Sequence, residues 1–354
     1  MKSMYQVLVI FLMPIILFSV FSCSDNSVTL PAATVDHLFY ITSDNGSQLT
    51  VFDADRRKYI HYIPLDTGGY ILDIIGDNQS LVIHINRTQE SKILDVGTEE
   101  FTNSFGFGTW VSISPDSKYA SVLRYDGSFL SYYTLEIQNL PGFGIIHLDS
   151  SVKACSFGID SRYIAYIHET EDGHTGNILT VYDIVSDSIL EKGYKSISGE
   201  ILLEEAIPIE NLNKVVCLGS AFADNVVFVY TIGNASIHAL SYFPGSYTGD
   251  IAVGPEGKYL YLTMVPPNWY NPPDKLIYVF DLETEKHIKD ISLESVDLQP
   301  NHMFISPDGK YMMVTSGPYS EGKAALIDLE NSDVIGVYGP PGMLGPMAAT
   351  LCPK

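Results

Sequence analysis

A chain of 354 residues carrying 42 acidic and 20 basic side chains, for a net charge of −22, repels polyanions, which argues against nucleic acid and anionic headgroups as ligands. Cationic partners, neutral sugars and metal ions stay open, although solubility alone accounts for such a charge. The hydrophobic fraction of 46% is ample for a core.

The chain begins with Lys2, an almost wholly apolar run from Val7 to Val20, and then Phe21, Ser22 and Cys23. This pattern predicts a secretory signal over residues 1–22, to be set aside before any reasoning about the fold. It resembles a bacterial lipoprotein signal, in which the cysteine after a small residue is lipidated and becomes the mature N-terminus. The resemblance implies lipid attachment at Cys23, a membrane partner through that anchor, and a place in the bacterial cell envelope, periplasmic or surface-exposed. Residues 23–35 read as a polar tether. Removing residues 1–22 takes away Lys2 and no acid, leaving a charge of −23. No later stretch of the sequence is long and apolar enough to span a bilayer as a helix.

Residues 36–354 read as one domain, and between Leu38 and Tyr311 one phrase recurs: a short hydrophobic strand, a polar turn, and a second strand. The turn reads SPDGKY at Ser306–Tyr311, SPDSKY at Ser114–Tyr119, GIDSRY at Gly158–Tyr163 and GPEGKY at Gly254–Tyr259. Aligned after the basic residue, the copies place Leu38, Leu81, Tyr119, Tyr163, Val215, Tyr259 and Tyr311 at spacings of 43, 38, 44, 52, 44 and 52. Short strands at that period predict four-stranded propeller blades. Seven fit, as a single all-β domain.

The two ends complement each other. Pro346–Pro353 (PMAATLCP) has the shape of Pro300–Pro307 (PNHMFISP) but no second strand follows it, whereas the first unit starts at His37 with a second strand and lacks a first. The expectation is a seven-bladed β-propeller closed by the C-terminal strand, which removes open sheet edges.

Asp116, Asp160, Glu256 and Asp308 repeat in the turn between first and second strands, and Asp53, Asp183, Asp281 and Asp328 where third strands end. Short acids at these places accept backbone hydrogen bonds, so all eight read as scaffold. The link between second and third strands breaks the repeat. It spans 11 residues from Thr42 to Asp53, but 16 from Ile167 to Asp183 and 18 from Thr263 to Asp281. Insertions in repeat proteins gather on one face, usually the binding face.

That reasoning selects Trp269 and Tyr270 in the proline-stiffened loop Met264–Lys275, with Tyr125, His168, His174, Tyr319 and Trp110 around the same rim, as ligand-binding candidates for a protein or small molecule. Enzyme signatures are mostly absent. HETED at His168 lacks the second histidine of a zinc motif, GSYTG at Gly245 misplaces its serine, and Gly106-Phe107-Gly108 opens no helix. No haem motif, metal set or cofactor site is legible. Cys155, Cys217 and Cys352 lack CxxC spacing and read as buried free thiols.

YITS at Tyr40, YLTM at Tyr261 and MVTS at Met313 resemble the element that follows SPDGKYL in YVTN-type β-propellers, a group similar in fold to lactonase and amine dehydrogenase heavy-chain propellers. The resemblance implies the fold and says little about activity. Pro300-Asn301-His302 is similar to the Pro-Arg-His of lactonase-type members, with asparagine in place of arginine. On that likeness His302 is the candidate catalytic residue, a general base toward a lactone or ester. The leading expectation is a non-catalytic binding or scaffold propeller, tethered to the envelope.

Overall fold

Stretches of Val, Ile, Tyr and Phe, cut at regular intervals by Gly, Asp and Ser turns, fold into antiparallel strands of five to thirteen residues. The structure is a computed structural model and describes residues 35–43, 46–65, 68–75, 80–125, 133–140, 145–169, 177–195, 201–221, 224–234, 236–243, 247–265, 275–316, 323–339 and 343–353. The expected signal peptide, with Cys23, and the tether up to residue 34 lie outside the described residues.

In chain order the strands are β1 (Val35–Ser43), β2 (Gln48–Asp53) and β3 (Lys58–Pro64); then β4 (Gly69–Ile75), β5 (Ser80–Ile85), β6 (Glu90–Asp95) and β7 (Glu100–Phe107). Next come β8 (Thr109–Ile113), β9 (Tyr119–Tyr125), β10 (Tyr133–Asn139), β11 (Ile145–Phe157), β12 (Tyr163–Glu169), β13 (Asn177–Asp183) and β14 (Ser188–Lys195). They are followed by β15 (Ile201–Ile209), β16 (Lys214–Ala221), β17 (Asp224–Thr231) and β18 (Ser236–Phe243), and by β19 (Tyr247–Val253), β20 (Tyr259–Val265), β21 (Leu276–Asp281) and β22 (Lys286–Ser292). The last are β23 (Pro300–Ile305), β24 (Tyr311–Ser316), β25 (Ala324–Asp328), β26 (Asp333–Tyr338) and β27 (Met343–Pro353).

Five sheets have four strands: β4 to β7, β15 to β18, β19 to β22, β23 to β26, and β27-β1-β2-β3. In the last of these the C-terminal strand lies beside β1, in the place that a first strand holds in the other four. The sixth sheet has seven strands, β8 to β14, with β11 in its middle. Residues Ile145 to Val152 of β11 pair with β10, and Val152 to Phe157 pair with β12. The strand serves two neighbours with its two halves.

Apolar clusters join successive sheets face to face. Leu203, Cys217 and Phe228 pack on Ile167 and Val181; Leu262 and Phe280 pack on Val216 and Val229; Met313 and Leu326 pack on Phe39 and Phe52. Another cluster lies within the seven-stranded sheet, where Leu135 and Ile137 meet Ile164 and Tyr182. Middle strands are buried, β24 throughout, while the fourth strands β3 and β22 are mostly exposed. Strands of neighbouring sheets also touch, β4 with β8, β11 with β15 and β19 with β23. This is the layering of a β-propeller, with first strands around the axis.

The repeated acids act on the backbone. Asp53, Asp183, Asp281 and Asp328 accept the N–H groups of Arg56, Ser186, Thr284 and Glu330, each within three residues. Four residues after each aspartate the chain takes positive φ, at Arg57, Asp187, Glu285 and Ser332, which turns it into the fourth strand. Asp95 is a fifth member, accepting from Thr98 and followed by Glu99 at φ 57. In the other turn Ser114 and Ser306 donate to Asp116 and Asp308 while accepting from Tyr119 and Tyr311. Two anchors of the period move by one residue. Ser80 stands opposite Asp95, and Lys214 opposite Thr231, where Tyr311 stands opposite Asp328, so Leu81 and Val215 are each one place too far along.

Candidate functional site

Five strands, β4, β11, β15, β19 and β23, carry a local irregularity in their pairing with the strand that follows, whereas β8 pairs with β9 without one. The ladder to the second strand skips one residue between Ile71 and Asp73, Val152 and Ala154, Leu203 and Glu205, Thr248 and Asp250, and Pro300 and His302. A bulge of this kind re-aims the side chains around it, and here it does so on the strands nearest the axis. Asp73 then accepts the Ile113 N–H at 2.7 Å, and Asp250 accepts the Met303 N–H at 2.7 Å, each reaching the first strand of the next sheet.

Between β8, β9, β10, β11 and β15 lies a cavity of about 380 Å³. Trp110 and Tyr133 give it aromatic walls, Ser112, Ser121 and Ser156 give hydroxyls, and Lys153, Glu204 and Glu205 give charge. The Trp110 indole stacks on the His84 imidazole with centroids 4.8 Å apart and planes 7° from parallel. His84 is buried, and that burial holds its pKa below the ordinary value despite hydrogen bonds from its surroundings, so a neutral ring backs the indole. Gly108, at φ 66, makes the approach to Trp110: its carbonyl accepts the Tyr125 N–H, and a Cβ there would lie 3.2 Å from the Tyr125 Cβ.

Glu205 opens onto the cavity, half-buried in its wall. Burial, with Asp250 and Glu204 adding negative charge, raises its pKa to about 8. Burial raises Asp250 to about 7 against the pull of its two backbone hydrogen bonds. Cys155 also lines the space, but burial pushes its thiol up to about 11, and it donates to the Ser121 hydroxyl. A protonated thiol is no nucleophile. Among the described residues no cluster of three or more His, Cys, Asp or Glu side chains could hold a metal ion.

The residues selected from sequence scatter. Trp110 is a wall of the cavity, and the Tyr125 ring lies 6.1 Å from that of Tyr133, another wall. His168 is elsewhere: it is buried within β12, with Nε2 3.1 Å from the Thr180 hydroxyl, a satisfied core histidine and not a rim residue. His302 sits at the β23 bulge, partly buried, with its pKa depressed by burial, and does not border the cavity. Trp269, Tyr270, Tyr319, His174 and Cys23 lie outside the described residues. Sequence reasoning passed over Tyr133 and Glu205. The signal for the last was available, since two adjacent glutamates interrupt the otherwise apolar strand ILLEEAIPI.

No family model matches the sequence, and no curated protein matches it. Solved structures do. Hydrazine synthase from Kuenenia stuttgartiensis is 14% identical with a TM-score of 0.58, over 81% of this chain and 90% of that one. Dihydro-heme d1 dehydrogenase NirN, in complex with DHE, is 14% identical with a TM-score of 0.58, over 89% and 77%. AztD from Citrobacter koseri, in its apo form, is 11% identical with a TM-score of 0.56, over 90% and 98%. At such identities the likeness concerns fold alone. The chain is an all-β propeller.

Proposed function

We propose that this protein is an envelope lipoprotein, anchored through Cys23, whose seven-bladed propeller is a binding or scaffold module with a ligand seat beside Trp110. The cavity carries this reading: an open cleft with two aromatic walls and a few polar groups offers what a small-molecule seat requires. The count of seven takes β11 as shared by two blades, and the apolar cluster inside the seven-stranded sheet supports it. YVTN-type character and the anchor rest on sequence, the latter on the apolar run before Cys23.

The test is a fluorescence titration of the protein against a small-molecule library spanning cationic, neutral and anionic compounds. A ligand that alters the emission of wild type should bind Trp110→Ala at least tenfold more weakly while the β-sheet circular dichroism stays unchanged. Silence from every compound at millimolar concentration removes the reading. Cys23→Ser should move the protein from the membrane fraction to the soluble one.

A second reading, lactonase-like hydrolysis at His302, is favoured by one observation: burial keeps the imidazole neutral, the form a general base needs. Asn301 stands where an arginine would assist the oxyanion, so the site lacks that donor. His302→Ala should abolish turnover on a lactone panel; equal activity in variant and wild type rejects the reading.

A further inference from the structure

We infer that the cavity beside Trp110 takes a small organic ammonium ion, with the Glu205 carboxylate as its counter-ion. The inference rests on the reading of that cavity as a ligand seat and adds the chemical class of what sits there.

The polar groups of the wall decide the sign of the charge. Two carboxylates, Glu204 and Glu205, face one ammonium, Lys153, which is already engaged by a neighbour. Glu205 is different. Its carboxyl has only burial and the repulsion of Asp250 and Glu204 acting on it, with no hydrogen bond among the described residues to offset them. A carboxylate in that position has no protein donor among the described residues, and an ammonium N–H supplies one together with a positive charge. The aromatic walls act in the same direction, since indole and phenol faces attract cations and accept the alkyl part of the ligand. An anion in the same place would meet Glu204 and Glu205 at close quarters.

The groups around Glu205 are few. Its own strand gives Glu204, β11 gives Lys153 and Cys155, and β19 gives Asp250. The faces of β12 and β13 that pack against β15 are apolar, with Ile167, Leu179 and Val181 against Leu203 and Ala206. With no cation beside it, burial and the charges of Asp250 and Glu204 raise the Glu205 pKa to about 8. An incoming cation favours the ionised form and expels the proton.

Three probes of one shape isolate charge: 3-methylbutylamine, 3-methylbutanol and 3-methylbutanoate. Calorimetry of the wild-type protein at pH 7, in two buffers of different ionisation enthalpy, should show saturable binding of the amine with release of a proton. Binding should tighten by about tenfold per pH unit up to about pH 8 and then level. The alcohol and the acid should bind at least tenfold more weakly, and Glu205→Gln, which mimics the protonated side chain, should weaken the amine by a similar factor.

No binding of the amine, equal binding of the alcohol or acid, an unchanged Glu205→Gln affinity, or absence of proton release each overturns the inference. If the alcohol or acid binds instead, or another library compound does, the ligand seat stands and only its charge preference is wrong. Silence from the three probes and from the whole library removes both. The proton-release measurement uses wild type alone, so a misfolded variant leaves the question decided.

Discussion

Turns of successive first-to-second strand pairs meet along one face of the molecule, and the way they meet differs from seam to seam. At the interior seams a turn bonds to the backbone of its neighbour. The Asp116 N–H donates to the Ser161 hydroxyl at 2.8 Å, the Asn211 amide donates to the Glu256 carbonyl at 3.0 Å, and the Glu210 carboxyl accepts the Asp160 and Tyr163 N–H groups. Where the β23–β26 sheet meets the sheet of β1, a cluster of five side chains does the work instead. His37 Nδ1 lies 2.9 Å from Asp55 and Nε2 lies 2.7 Å from Asp308, with the Tyr311 ring edge-on at 5.0 Å and Lys310 within 3.8 Å of Asp55. Interior seams join segments that are near in sequence, whereas His37 and Asp308 are 271 residues apart. A long-range join needs stronger individual contacts, because more chain entropy opposes it.

The largest expected effect is at the clasp. His37→Ala leaves two carboxylates facing each other and should cost about 2 kcal/mol, read as a lower denaturant midpoint with unchanged slope. An equal midpoint in the variant would make the clasp ornamental.

A pH scan sharpens the same contrast. Burial alone would depress the His37 pKa, but the hydrogen bonds and charges of Asp308 and Asp55 outweigh it and hold the imidazolium above its ordinary 6.5. Its contribution is fully present below 6.5 and is lost as pH rises through the higher folded value. Asp55 and Asp308 run the other way: His37 holds both below 3.8 in spite of their burial, so their contribution is present above 3.8 and fades as pH falls through the lower folded values. The stability difference between wild type and His37→Gln should therefore be greatest between about pH 4 and 6.5 and shrink above it. A flat difference from pH 4 to 9 contradicts the assignment.

The smallest effect belongs to an interior seam. Ser161→Ala removes one hydrogen bond to a backbone amide and should cost about 1 kcal/mol, with no pH dependence over the same range. A loss equal to that of His37→Ala would erase the distinction between the seams.

The turns were legible in the sequence because their chemistry is local. Asp281 needs only the amide of Thr284 three residues on, and Ser306 needs only Asp308 and Tyr311, so the residues that act together are adjacent in the chain. The same locality exposed the period and, with it, the C-terminal strand beside β1. The double duty of β11 was not legible, since nothing in Ile145–Phe157 marks where one pairing ends at Val152 and the next begins. The cavity was equally hidden. Trp110, Tyr133, Lys153 and Glu205 sit on four strands, and only the bulges before Ala154 and Glu205 and the stacking of sheets bring them to one space. His168 misled because a histidine beside two acids in HETED resembles a site, while its partner Thr180 lies across the hairpin on β13.

The pairing of β27 with β1 sets a clock on biosynthesis. The sheet that begins with β1 is one strand short until residues 343 to 353 exist, and at typical translation rates roughly 15 to 60 s separate the end of β3 from the end of β27. Throughout that interval β1 offers an unpaired edge whose Phe39, Tyr40 and Ile41 are all buried in the finished molecule. Until β27 docks, that edge stays open to pairing with another chain, and the folding of this sheet is completed by a strand from the other end of the sequence.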